Sequence, residues 1–142
     1  MASMNVGRIV GGGLVAGLVM NVVDGVTNGA ILGERWAVEA KRLGLDVSQA
    51  AQSQSLIGWV TYDLLCGIVL VWLYASIRPR YGAGPKTAVI AGLALWLITH
   101  LAFSAWAFTG LYSVGIVAAT TTGGLVAGVA GGLAGCALYK EA

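Results

Sequence analysis

The sequence predicts an all-α polytopic membrane protein: a four-helix transmembrane bundle forming a single domain over residues 1–142, with no separate soluble part. Three observations predict it. Only 10% of the residues are charged and 58% are hydrophobic, whereas soluble domains carry about a quarter and just under a half, so the chain lacks the polar side chains needed to clothe a globule in water. The mean hydropathy is strongly positive, at +0.83. Four apolar runs, Ile9 to Leu32, Leu56 to Ile77, Thr87 to Phe108 and Val114 to Leu138, each reach 22 to 25 residues, and about 20 helical residues cross a hydrocarbon core of about 30 Å. No segment alternates apolar and polar residues as a membrane β-strand does.

The first run follows Arg8, the order found in signal peptides. No small-x-small cleavage site closes a short apolar core, so the run is expected to be retained as a span. In the first loop, Gly33 to Ser55, the charged Glu34, Glu39, Lys41 and Arg42 alternate at helical spacing with Trp36, Ala40 and Leu43, and Gly44 offers a stop. This predicts a short amphipathic helix on the outer membrane surface, anchored by Trp36. The polar stretch Ser48 to Ser55 is expected to extend the second span into the headgroup layer. Pro79 is expected to end that span, with Gly82, Gly84 and Pro85 turning the chain into the third. The short, uncharged connection Thr109 to Ser113 makes the last two spans an antiparallel hairpin.

Cytoplasmic loops retain an excess of Lys and Arg. Placing Arg78, Arg80 and Lys86 inside brings Arg8 and Lys140 inside as well, leaving Arg35, Lys41 and Arg42 outside. Both termini are then cytoplasmic, and the expected location is a bacterial inner membrane crossed several times.

Glycine supplies 22 residues, and its spacing is ordered. Thr120, Gly124, Gly128, Gly132 and Cys136 recur every four residues in the fourth span, as do Gly13, Gly17, Asn21, Gly25 and Gly29 in the first. Such glycine zippers let helix backbones approach closely inside lipid, where apolar burial gives no driving force. They either close the bundle within the chain or dock another subunit or a second copy.

Three ionisable residues fall within spans, where a charge costs about 2.5 to 3.5 kcal/mol on insertion scales. These are Asp24, Asp63 and His100. Asn21, Asp24 and Asn28 share a helix face with Gly13 and Gly17; Trp59, Asp63, Cys66 and Gly67 share another; Trp96, His100, Phe103 and Ser104 share a third. Asp24, Asp63 and His100 fall in the outer half of the bundle, as do Thr120, Thr121 and Thr122. The candidate site is therefore a polar cluster of Asn21, Asp24, Asn28, Asp63, His100, Ser104 and Thr121. It is either a hydrogen-bonded core that fixes helix register or a site for a proton, a cation or a small polar solute.

The remaining chemistries find little support. Cys66 and Cys136 lie at different depths, too far apart for a disulfide, and have no zinc-ligand spacing. His100 alone cannot form a bis-His haem site, which leaves only a pigment or haem shared with a partner subunit. No Gly-x-Ser-x-Gly, His-Glu-x-x-His or phosphate-binding loop is present, so no catalytic residue, metal or dedicated cofactor is expected. Membrane lipid is the expected surrounding partner. No basic run with interleaved aromatics points to nucleic acid.

The stretch Trp72-Leu-Tyr-Ala-Ser-Ile-Arg-Pro-Arg-Tyr-Gly-Ala-Gly-Pro-Lys-Thr-Ala88 resembles a pattern in small bacterial four-helix membrane proteins of unassigned function. The similarity runs from the first helix through the fourth. It includes an Asn and an acidic residue near the end of helix one, here Asn21 and Asp24. It implies the fold and no activity. The expected function is that of a non-enzymatic structural or accessory subunit of a membrane complex or small homo-oligomer. The alternative is a small transporter or channel using the Asp and His cluster.

Overall fold

The computed structural model describes residues 4–141 and contains five α-helices and a π-helical segment, with no strand among the described residues. Helix α1 (Val6–Asp24) starts from Asn5, whose Oδ1 accepts the Arg8 N–H at 3.1 Å, and runs directly into the π-helical turns of Gly25–Ile31. Helix α2 (Gly33–Arg42) carries Glu34 in its first turn and Lys41 and Arg42 in its last, each complementing the helix dipole. It ends at Leu43, followed by Gly44 in the left-handed region (φ 69°). Helix α3 (Gln49–Tyr81) is capped by Ser48, whose Oγ accepts the Ala51 N–H at 3.3 Å. Helices α4 (Pro85–Phe108) and α5 (Val114–Cys136) complete the fold.

Among the described residues, four helical segments are long and apolar enough to cross a membrane: Val6–Ile31, Ala51–Tyr81, Pro85–Phe108 and Val114–Cys136. The amphipathic helix expected in the first loop is α2. Three boundaries differ from expectation. The first span finishes in π rather than α geometry. Pro79 does not end α3, which continues to Tyr81; proline removes one backbone donor near the helix end, and the stop belongs to Gly82 and Gly84, with φ of 83° and 126°. Helix α5 stops at Cys136, short of Leu138, in a turn closed by the Tyr139 N–H on the Cys136 carbonyl at 3.1 Å.

Helix α1 packs between α3 and α5, and α4 closes the ring against α5 and, more loosely, α3. Small residues make these approaches possible. Gly13 and Gly17 lie on the α3 backbone at Ile68, Leu64 and Asp63, and Gly67 returns the contact. Helix α5 has two glycine faces. Gly124, Gly128 and Gly132 meet His100, Gly92 and Ala88 of α4, while Gly131 and Gly135 meet Met20, Ala16 and Gly12 of α1. The expected stripe on α1 is only half used, because Gly25 and Gly29 face open space. The wider π turn changes the angular step per residue and carries the stripe off the α3 face.

Where the residue before α1 meets the segment after α5, Tyr139 closes the bundle. Its hydroxyl accepts the Asn5 N–H at 3.4 Å, its ring meets Tyr74 edge-on at 6.0 Å, and the Arg78 guanidinium sits 5.7 Å above it. Arg78 also pairs with Glu141 at 3.2 Å. The opposite end is looser: every residue of α3 from Gln52 to Tyr62 is exposed, and Asp63 is the first buried one.

Candidate functional site

Asp63 becomes buried, at 5% exposure, where α3 joins the bundle. Asp24 ends the α-helical part of α1, and the π-helical segment begins at the next residue; such wide turns are often found at functional positions. Asp24, Asp63 and His100 line one cavity of about 30 Å³, with Tyr62, Cys66 and Thr99 among the other walls. That space accommodates one or two water-sized particles. Neither carboxyl is hydrogen-bonded to a protein group among the described residues.

His100 is held on three sides. Its Nδ1 lies 3.0 Å from Thr99 Oγ1, which also donates to the Leu95 carbonyl at 3.0 Å. The same hydroxyl lies 3.2 Å from the Trp96 carbonyl, so it has three polar neighbours within hydrogen-bond reach. The ring stacks on Trp96 at 6.3 Å and meets Phe103 edge-on at 6.4 Å. Nε2 rests on Gly124, where a side chain would occupy the ring's place. It therefore faces α5 of the same chain.

The other expected site residues separate into different roles. Asn21 donates from Nδ2 to the Gly17 carbonyl at 3.0 Å and the Val60 carbonyl at 3.2 Å, tying α1 to α3 beside the cavity. Asn28 Oδ1 accepts from Thr120 Oγ1 at 2.9 Å and from Trp36 Nε1 at 3.2 Å, joining the π segment to α5 and α2. Thr121 contributes its carbonyl, which accepts from Trp96 Nε1 at 2.9 Å, while its own buried hydroxyl has no partner among the described residues. Ser104 is half-buried and makes no hydrogen bond among them. Trp59, expected on the Asp63 face, points outward at 63% exposure. Tyr62 and Thr99 have no sequence signal beyond adjacency to Asp63 and His100, and Cys66, a buried core residue, is also a cavity wall.

A second constellation lies at the exposed end. Glu39, buried at 7% exposure, accepts the Ser113 N–H on Oε1 at 3.1 Å and Arg42 Nε on Oε2 at 2.8 Å. Arg42 also donates from Nη2 to the Leu111 carbonyl. The Ser113 hydrogen bonds, and then Arg42, hold the Glu39 carboxyl below its ordinary value. Above this clasp Trp36 meets Tyr112 edge-on at 5.4 Å, and Tyr112 lies 6.0 Å from Phe103. A continuous run of aromatic rings thus leads from α2 to His100.

No group of three or more His, Cys, Asp or Glu side chains suited to a metal occurs among the described residues. Comparison with family models, curated proteins and solved structures finds no match for this chain.

Proposed function

We propose that this chain is a non-enzymatic, multi-pass protein of a bacterial cytoplasmic membrane. It acts as a small transporter or channel that holds a proton or small cation at Asp24, Asp63 and His100. The observation that carries this reading is the cavity the three side chains share, lying where α3 leaves the bundle. Polar residues that only glue helices together are expected to bond to one another and exclude water. Asp24 and Asp63 instead line a water-sized space with neither carboxyl hydrogen-bonded to a protein group among the described residues, and intramembrane ionisable groups of that kind mark ion and proton pathways. The proposed orientation keeps both termini cytoplasmic. It is supported by the five cations Arg8, Arg78, Arg80, Lys86 and Lys140 at the termini end, against Arg35, Lys41 and Arg42 at the other.

The test is a pH jump across proteoliposomes containing a trapped pH dye, with and without Na⁺ or K⁺ gradients. Wild-type protein is expected to collapse a proton or cation gradient faster than empty vesicles, and Asp63→Asn to abolish the difference. Identical rates for wild type and empty vesicles would overturn the proposal.

A second reading, an accessory subunit of a larger membrane complex or homo-oligomer, is favoured by one observation. From Gln52 to Tyr62 every residue of α3 is exposed, with Leu56, Ile57 and Trp59 the most uncovered of its large apolar side chains. In this reading docking uses α3 rather than Gly13, Gly17, Gly124, Gly128 or Gly132, whose faces neighbouring helices of the same chain already cover. Native mass spectrometry after mild extraction distinguishes the two, because an accessory subunit leaves the membrane with its partners.

A further inference from the structure

We propose that the cleft between α2 and the start of α5 binds an anionic phospholipid, with Arg35 as the cation for its phosphate. The cleft is open, encloses about 240 Å³ and is lined by Arg35, Val38, Glu39, Ser113, Gly115 and Ile116. Its charge balance decides the ligand's sign. Both oxygens of Glu39 are occupied, one by the Ser113 N–H and the other by Arg42. Arg35 has no ion-pair partner among the described residues, since the two pairs present there are Arg42 with Glu39 and Arg78 with Glu141. The cleft therefore presents an uncompensated guanidinium, whose planar fork suits a phosphate.

The walls decide between a soluble anion and a lipid. Val38 is 67% exposed and the neighbouring Val114 70% exposed, while Ile116 forms a buried floor. A free phosphate gains nothing from these apolar surfaces, whereas a phospholipid covers them with its acyl chains while its headgroup meets Arg35. The position fits the same ligand. Helix α2 lies outside the four apolar segments, and the Trp36–Tyr112 pair beside the cleft has the amphipathic rings that settle at headgroup level. This inference depends on membrane insertion but not on ion binding at Asp63.

The test is native mass spectrometry of the purified full chain in micelles doped with equal amounts of phosphatidylglycerol and phosphatidylcholine. Wild-type protein is expected to retain phosphatidylglycerol in preference by about fivefold, the contribution of one basic residue near an anionic headgroup. Arg35→Gln should erase the preference, Arg35→Lys should restore part of it, and Lys41→Gln, a loss of equal charge on the same helix, should leave it unchanged. Circular dichroism of each variant checks that the helices are intact; if Arg35→Gln loses helix, the Arg35→Lys and Lys41→Gln comparison decides. Equal retention of the two lipids by wild type, equal loss in Lys41→Gln, or displacement of the lipid by millimolar inorganic phosphate would each overturn the proposal.

Discussion

The carboxyl group of Glu39 accepts the backbone N–H of Ser113 across 74 residues of sequence, so a helix outside the apolar spans holds the first residue before α5. The same hydrogen bonds, reinforced by Arg42, keep the folded carboxyl below its ordinary value of 4.5. A group with a depressed folded value stabilises the fold fully above its unfolded value and loses that contribution as pH falls through the folded one. The clasp is therefore expected to stay closed from neutral pH down to about the ordinary carboxyl value and to release in more acidic solution. Trp36 fluorescence, taken as the difference from Trp36→Phe, should change only in that acid range. Glu39→Gln should give the altered signal at neutral pH and no acid transition; a wild-type transition near neutral pH would contradict the assignment.

Gly67 and Gly11 should respond oppositely to the same added methyl group. A Cβ at Gly67 would press on the backbones of Gly13 and Gly17, the latter's Cα at 2.8 Å, whereas one at Gly11 meets nothing within 4 Å. Gly67→Ala is expected to destabilise the bundle by about 1–3 kcal/mol, the usual cost of overpacking. Gly11→Ala should be neutral or stabilising by up to about 1 kcal/mol, through helix propensity. Unfolding in mixed micelles with increasing denaturing detergent measures both, and equal effects would mean that α1 and α3 do not meet at these positions.

These glycines mark the limit of what sequence periodicity can reveal. Apolar length alone locates the four long helices, because a helix that crosses lipid needs about 20 uninterrupted apolar residues. Asp24, Asp63 and His100 are conspicuous by their cost in such runs, and the structure brings them to one cavity. Helical spacing, however, assumes an α-helix. The π turn after Asp24 breaks that assumption, so Gly25 and Gly29 leave the stripe while Asn28 reaches Thr120 and Trp36. The clasp of Glu39 on Ser113 has no local signal at all, since its two halves meet only after α3 and α4 have returned the chain to the same end.

Asn28 should behave as a structural tie rather than as part of the proposed ion site. One oxygen serves both the Thr120 hydroxyl and the Trp36 indole N–H, so Asn28→Ala leaves two donors without their acceptor. A donor left unsatisfied in a buried place costs about 1–3 kcal/mol. Both donors are only half-buried, so the expected loss lies toward the lower end of that range. It should appear as reduced stability and a change in Trp36 emission, with any gradient-dissipating activity retained. Loss of activity with unchanged stability would instead move Asn28 into the site.

The two cysteines provide a direct probe of how the cavity is reached. Cys66 is a cavity wall beside Asp63, on the part of α3 just past its exposed stretch. Cys136, equally free, is 3% exposed at the tightly closed termini end and lines no part of this cavity. A small, uncharged, water-soluble thiol reagent applied to protein in vesicles is expected to modify Cys66 slowly and Cys136 far more slowly, with peptide mass spectrometry reading each site. The comparison is informative because both thiols are buried to a similar degree in a static view, so a difference in rate reports the route to the cavity rather than average exposure. Equal protection of both cysteines would mean that the Asp24 and Asp63 carboxyls are sealed from water, which favours the accessory-subunit reading over the transporter.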